Sequence, residues 1–464
     1  MSKLKHDVTV RVAKALNPVL LTLPFAVVWF HYYASRLASP YYYWGNWVVV
    51  ALFFFLYILF CRVYDGFLIS INRISEIVYS QALASVISDF LLYVVICLLS
   101  KRLVNPLPLL GALAAQVLLA GVWAYCAHQW YFSKFPAKRT AVVYDVREGL
   151  ERLVEEYGLE KKFNIRAALS VQEALANKEI LNTMETVFLS GIHSHDRNIL
   201  LKYCVDKDIN VYVIPRIGDV LMSGARSMHM FHLPILRVGR YHPSPVYLAL
   251  KRGFDILASG IATVLLSPVF AVTAIAIKRY DGGPIFYKQK RLTKDGRIFE
   301  VLKFRSMRVD AEKDGVARLS TGDNDDRITP VGRFIRKVRI DELPQLLNIL
   351  KGDMTICGPR PERPEIAEQY EQELPEFRLR LQAKAGLTGY AQVYGKYNTT
   401  PYDKLMMDLM YIAHPSFLQD LQIMFATVKI LFMKESTEGV AEGITSAMGQ
   451  NEVAEEIETS EKAV

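Results

Sequence analysis

The sequence predicts a membrane protein in three parts: an α-helical bundle of four spans, a small α/β domain, and a second α/β domain opened by a re-entrant membrane helix. Three observations carry this. The chain has 464 residues, 52% of them hydrophobic, which is long for one domain and apolar for a soluble one. Four stretches of near-bilayer length without Lys, Arg or Glu fall before residue 130. Beyond them, short apolar runs alternate with amphipathic stretches, as strands do with helices.

The four stretches are 17–33, 44–61, 82–100 and 106–127, the first being the shortest. About 20 apolar residues cross the hydrocarbon core, so four spans over 1–130 are expected. With the N-terminus inside, the inner segments hold Lys3, Lys5, Arg11, Lys14, Arg62, Arg73, Lys134, Lys138 and Arg139, against Arg36, Lys101 and Arg102 outside. That asymmetry favours a cytoplasmic N-terminus and leaves the chain after residue 130 in the cytoplasm. No cleavable signal peptide is expected, since the first apolar run lacks a small-residue cleavage site. Asp89 lies inside the third span, where an acid is a functional candidate by default; an interhelical hydrogen bond is the plainer reading. The cysteines (Cys61, Cys97, Cys126, Cys204, Cys357) have neither metal-type spacing nor a disulfide framework and read as reduced thiols.

Residues 138–240 form the expected middle domain, with strands TAVVYD (140–145), ETVFLSG (185–191) and INVYVIP (209–215) and helical patterns at 147–157, 171–182 and 195–206. The domain reads as a degenerate Rossmann-like unit. A dinucleotide site needs glycines after the first strand; this chain has Asp145-Val146-Arg147-Glu148-Gly149 there, with acids where a phosphate would sit. Tyr203-x-x-x-Lys207 imitates a dehydrogenase pair, but without the glycine loop it reads as coincidence.

The apolar stretch 256–277 is long enough to cross a bilayer, yet Lys251-Arg252 and Lys278-Arg279 flank it, so both ends favour the same side. Ser267-Pro268 sits at its middle. Pro removes a backbone donor and clashes with the preceding turn, and Ser can bond back to a carbonyl near Thr263. The segment 251–279 therefore reads as a helix-break-helix hairpin dipping into one leaflet, with a Pro-kinked fifth span as the competing reading. After it, IFYKQKR (285–291), the Asp295-Gly296 turn and RIFEVLKF (297–304) predict a β-hairpin presenting Lys288, Lys290, Arg291, Lys303 and Arg305.

Residues 336–363, RKVRIDELPQLLNILKGDMTICGPRPER, hold the strongest chemical signal. Asp341 and Glu342 are adjacent, and Arg333, Arg336, Lys337 and Arg339 crowd the approach. Asp341 is placed to begin a helix through LPQLLNIL, with Pro344 in its first turn; alone it would read as an N-cap. With the bases, the pair suits a phosphate ester: a carboxylate can attack phosphorus, and Mg²⁺ takes one or two carboxylates plus substrate phosphates.

On these residues the chain resembles the large monotopic phosphoglycosyl transferases, bacterial polyprenyl-phosphate hexose-1-phosphate transferases that start exopolysaccharide and O-antigen assembly. The resemblance covers about 250–434: KRGFD, the Ser267-Pro268 break, GGPIFYKQKR, EVLKFRSM, RIDELPQLLNILKGDM, GPRPE, AGLTGYAQVYGKYN and MMDLMYI. It implies an α/β catalytic domain moving a sugar-1-phosphate from a UDP-sugar to undecaprenyl phosphate with release of UMP. It also implies Asp341 as the nucleophile holding a phosphosugar and Glu342 as its partner near Mg²⁺. Lys303 and Arg336 match phosphate-contacting positions, Pro359-Arg360-Pro361 the loop at the uridine end, and Asp408 an acid of unassigned role. Residues 392–411 are less regular, leaving the sugar open.

The implied location is the bacterial inner membrane, with the catalytic domain on its cytoplasmic face. A net charge of +8, concentrated around the hairpin and the carboxylates, fits membrane lipid and phosphates; no motif points to nucleic acid. Similar proteins suggest pairing of subunits. Residues 436–464 are polar and acidic, too poor in apolar surface to order. The rival readings are a membrane-bound nucleotide-sugar dehydratase or epimerase, which needs the missing glycine loop, and a non-catalytic polysaccharide assembly scaffold.

Overall fold

The computed structural model describes residues 3–145, 158–241, 243–309, 327–395 and 399–431, together with Leu150 and Val154. The acidic C-terminal segment expected to be disordered lies outside the described residues, as does most of the helix expected at 147–157. The chain divides into two compact units, Met1–Ile214 and Pro215–Val464.

In the first unit, α1 (Lys3–Val28) runs through a π turn (Trp29–Tyr33) into a 3-10 turn (Ala34–Arg36). It is followed by α2 (Gly45–Val63), α3 (Ile74–Ser100) and α4 (Leu107–Lys134). Val8–Arg36 and the three later helices are each long and apolar enough to cross a membrane. The first is thus not the shortest: its helix continues past the apolar run at both ends, and α2, with 19 residues, is shortest. Only 33–39% of each apolar window is buried within the protein, so most of that surface needs an apolar surrounding.

Polar side chains tie the bundle together. Asn17 Nδ2 donates to Gln81 Oε1 at 3.0 Å, and Tyr57 OH donates to Asn17 Oδ1 at 2.7 Å. Asp89 is buried, and neither of its carboxylate oxygens makes a hydrogen bond. All five cysteines are free thiols.

The rest of the first unit is a parallel four-stranded sheet, order β2-β1-β3-β4. Its elements are β1 (Lys138–Tyr144), β2 (Phe163–Ser170), α5 (Val171–Ala176), β3 (Thr186–Ser190), α6 (Ser194–Asp206) and β4 (Asn210–Val213). Strand β2, absent from the sequence reading, is the edge strand FNIRAALS, of which only Phe163 is fully buried. The helix expected over 171–182 is six residues followed by a 3-10 turn. Ser170 caps it, accepting from Glu173 N at 3.3 Å.

The second unit begins with α7 (Ile217–Ser223) and an antiparallel hairpin, β5 (Arg226–Met230) and β6 (Leu233–Arg237). Next come α8 (Pro245–Leu265) and α9 (Ser267–Asp281), bent by 60° across Leu266. The bend has the expected cause, though its hydrogen bond differs: Ser267 Oγ donates to Val264 O at 2.8 Å, three residues back, while Thr263 bonds Ser259 O. Pro268 occupies the first turn of α9, where its missing N–H costs nothing. Both arms expose apolar side chains, among them Leu257, Ile261, Val264, Leu265, Val272 and Ile275.

The hairpin β7 (Phe286–Leu292) and β8 (Ile298–Phe304) forms as expected around Asp295 and Gly296, both at positive φ. Its bases divide: Lys288 and Lys290 are exposed, while Arg291 and Lys303 are half-buried. Arg305 is buried and paired with Asp281, and Lys288 pairs with Glu300 across the strands at 3.1 Å. Beyond it lie α10 (Pro330–Lys337), α11 (Gln345–Lys351), β9 (Thr355–Cys357), α12 (Pro364–Glu373), β10 (Gly386–Thr388), α13 (Tyr390–Tyr394), α14 (Pro401–Ala413) and α15 (Phe417–Leu431). Phe299, Val301, Leu346, Ile349, Met354 and Ala385 form the core between the hairpin and α11.

Each polar residue of KRGFD fastens α8 to the rest of the second unit. Lys251 Nζ reaches Asp420 at 2.8 Å. Arg252 donates to the Ile349 and Leu350 carbonyls at 2.6 and 2.8 Å, satisfying the open end of α11. Asp255 accepts from Thr355 Oγ1 at 2.7 Å and from Ile356 N at 3.1 Å. The bent helix pair and the segment bearing the carboxylates are therefore one body.

Candidate active site

Asp341 and Glu342 occupy a 3-10 turn, Ile340–Glu342, between α10 and α11. Thr329 caps α10, its Oγ1 accepting from Gly332 N at 2.9 Å. Gly332 is required there: a Cβ would stand 1.9 Å from Ser306 O. The chain then reverses at Arg339, whose φ of 58° is left-handed, a conformation that costs a non-glycine residue about 1 kcal/mol. Asp341 is thus not the first residue of the helix or its cap. That helix starts at Gln345 with Pro344 in the cap position, because the tight 3-10 turn intervenes.

Cations converge on Glu342. Arg360 Nη2 lies 3.3 Å from its Oε1, Lys303 Nζ 3.5 Å and Arg339 Nη1 3.9 Å. Burial raises this carboxyl, but Lys303, Arg360 and Arg339 outweigh burial and hold it well below the usual carboxylate range. Asp341 goes the other way. Burial and the adjacent Glu342 charge push it up, against Lys303, Arg336 and Arg339. Its Oδ1 is buried and makes no hydrogen bond. One carboxylate is therefore held ionised as a fixed charge, while its neighbour is the more basic and keeps an oxygen uncommitted. That division of labour suits a nucleophile beside an electrostatic partner.

Lys303 is carried on β8, and Asn348 of α11 is fastened to the same strand. Asn348 Oδ1 accepts from Leu302 N at 2.9 Å and its Nδ2 donates to Glu300 O at 2.8 Å. The helix after the dyad and the strand bearing its cation are thereby locked in register. Of the four bases near the dyad, Arg336 and Arg339 act on it, while Arg333 and Lys337 are exposed to solvent.

The loop Pro359-Arg360-Pro361 is fixed through its carbonyls. Pro359 O accepts from Gly386 N at 2.9 Å, Arg360 O from Arg380 Nη2 at 2.9 Å, and Pro361 O from Arg291 Nη1 at 3.1 Å. Asp408 is buried and pairs with Arg380 at 2.6 Å. Arg380 also meets Glu362 at 3.4 Å. Sequence reasoning missed Arg380 and Lys404, since the carboxylates that give them a role, Asp408 and Glu362, stand 28 and 42 residues away; Glu362 stood in the quoted GPRPE without a role. Lys396, Tyr397 and Asn398 of the matched motif lie outside the described residues.

Among the described residues no three His, Cys, Asp or Glu side chains converge as a metal cage. A hard cation would still fit. Asp341 Oδ1 is buried and uncommitted, Glu342 is ionised beside it, and Mg²⁺ fills its remaining positions with water and substrate phosphate.

A carboxylate pair ringed by cations, on a chain with four membrane-length helices, marks a membrane-anchored protein suited to an anionic group. The chain belongs to the bacterial sugar transferase family, which matches residues 246–434. It is 39% identical over 234 residues to a UDP-N-acetylgalactosamine-undecaprenyl-phosphate N-acetylgalactosaminephosphotransferase of Aeromonas hydrophila, covering 50% of this chain and 54% of that one. A UDP-glucose:undecaprenyl-phosphate glucose-1-phosphate transferase of Escherichia coli is 33% identical over 284 residues, 60% of this chain and 56% of the relative. One of the same description from Caulobacter vibrioides is 40% identical over 191 residues, 40% of this chain but 71% of the relative. The chain thus spans about half the length of the first two relatives.

Proposed function

We propose that the chain transfers a hexose-1-phosphate from a UDP-sugar to undecaprenyl phosphate at the cytoplasmic face of the inner membrane. The observation that carries this is the dyad: a basic, uncommitted Asp341 oxygen beside a Glu342 held ionised by Lys303, Arg360 and Arg339. The names of the relatives support the donor and acceptor classes.

In the first step an Asp341 oxygen attacks the phosphorus next to the sugar. An acyl-phosphate bond forms as the bond to the bridging oxygen breaks, and UMP leaves with that oxygen. In the second, an oxygen of undecaprenyl phosphate attacks the same phosphorus, freeing the Asp341 carboxylate and forming the lipid diphosphosugar. Lys303 and Arg336 offset the phosphate charge, and the Pro359–Pro361 loop holds the uridine end. Glu342 and Asp341 would hold Mg²⁺, which would supply further charge neutralisation there.

The membrane geometry supports the same reading. Pro268 lies at the bend of an otherwise continuous apolar helix, and basic pairs flank both ends, which favours a re-entrant hairpin over a fifth span. The acceptor phosphate lies at headgroup level, where such a hairpin would hold the dyad. The parallel sheet of the first unit is, in this reading, a Rossmann-like module without a nucleotide role.

The test is UMP release by the purified chain with Mg²⁺, undecaprenyl phosphate and a panel of UDP-hexoses. Asp341→Asn should lower the rate by at least about a thousandfold, the scale of losing a nucleophile. Wild-type protein should exchange labelled UMP into the donor without lipid acceptor. Release without such exchange would replace the covalent step by direct transfer, and no release from any donor would favour the scaffold.

A further inference from the structure

Asp408 and Arg380 are among the most deeply buried charged side chains of the second unit, 1% and 2% exposed, and neither takes part in the transfer steps above. Arg380 stands in the 3-10 stretch Pro375–Gln382, and its fork faces three ways. Nε and Nη2 meet Asp408 Oδ2 at 2.8 and 2.6 Å. Nη2 also donates to Arg360 O at 2.9 Å, and Nη1 lies 3.4 Å from Glu362 Oε1. The guanidinium thus joins α14 to both the backbone and the side chains of the Pro359–Glu362 loop.

The opposite face of that loop meets the dyad, since the Arg360 guanidinium contacts Glu342 at 3.3 Å. A continuous line runs from Asp408 through Arg380 to the Arg360 carbonyl, and from the Arg360 side chain to Glu342. Glu362 is balanced independently by Lys404 at 3.4 Å and Arg291 at 3.9 Å, so Asp408 is the counter-charge that fixes the orientation of Arg380.

We propose that Asp408 is a positioning residue: through Arg380 it sets the Arg360 carbonyl, and with it the loop that receives the uridine nucleotide, and it does not bind the metal. This rests on the transferase reading above. Both Arg380 nitrogens converge on one Asp408 oxygen, Oδ2, in a buried pair that neutralises the carboxylate, and Asp408 joins no cluster of metal-ligating side chains among the described residues. Lysine could not replace Arg380, because a point charge cannot hold a carboxylate and a carbonyl in one plane.

The experiment compares wild type, Asp408→Asn and Arg380→Lys in the full chain, in lipid nanodiscs, by three readouts. Hydrogen–deuterium exchange should speed up in the peptide spanning residues 358–363 and stay unchanged in α8 and in β8. KM for the UDP-sugar should rise by about tenfold, as small displacements of a binding loop do, with kcat within about threefold. The Mg²⁺ concentration giving half-maximal rate should not move. A shift in that concentration with unchanged loop exchange would make Asp408 a ligand and overturn the proposal. Faster exchange throughout the second unit, with KM unaltered, would reduce the pair to a stabilising one and overturn it equally. Should Asp408→Asn fail to fold, Arg380→Lys, which keeps the charge, decides alone. If wild type releases no UMP, the transferase reading falls, while loop exchange still tests the positioning.

Discussion

Asp341 and Glu342 share one turn yet are driven in opposite directions, Asp341 upward by burial and its neighbour's charge, Glu342 downward by three cations. The sign matters for both stability and rate. Glu342 contributes stability that is complete above the ordinary carboxylate range and lost as pH falls through its depressed pKa; Asp341 favours the folded chain only while protonated. In the proposed transfer Asp341 attacks as the carboxylate, so kcat/KM should fall as pH drops through its raised pKa, with the limb belonging to the pair rather than to one group. Lys303 is the foremost cation opposing that rise. Lys303→Gln should therefore raise Asp341 further and move the acid limb to higher pH by about one unit. A pH–rate profile in which the limb stays put would separate Lys303 from the nucleophile's titration.

At the scale of elements, the bent pair α8 and α9 decides on which side of the membrane the dyad lies. Motif, flanking charge and the Ser267-Pro268 break were all legible, because each acts through local covalent geometry or a count of basic residues. The interlocking of α8 with α11 and β9 was not, since Arg252 and Asp255 find partners about a hundred residues away. For the same reason the fate of Arg305 was hidden: it turns inward to Asp281, 24 residues away. A re-entrant pair makes a topological prediction. In a background without the native cysteines, Lys288→Cys in β7 should react with an impermeant maleimide only from the cytoplasmic face. Lys101→Cys, between α3 and α4, should react only from the other. Labelling of both positions from one side would make the pair a fifth span.

Across the whole chain, what was readable and what was not divide along one physical line. Four membrane-length helices showed because bilayer thickness imposes a length and a composition, and the dyad showed because adjacent acids among bases are chemically conspicuous. Strand β2 and the Arg380 fork did not, because an edge strand needs only one apolar face and a buried ion pair is assembled from distant parts. The compact division at Ile214/Pro215 extends this to function. The second unit holds its own core, from Val220 of α7 through Cys357, Phe377, Leu405 and Tyr411, and every described contact of the dyad lies within it. The Caulobacter vibrioides relative is matched over 71% of its length by 191 residues of this chain, so the matched segment makes up most of that protein. Residues 215–464 expressed alone should therefore enter membranes through α8 and α9 and release UMP with kcat within about tenfold of the full chain, because the transition-state contacts are retained. Fractionation of membranes followed by the UMP assay would check this. A membrane-bound fragment without turnover, despite an unchanged melting profile of the second unit, would mean that the spans or the parallel sheet contribute to the reaction itself.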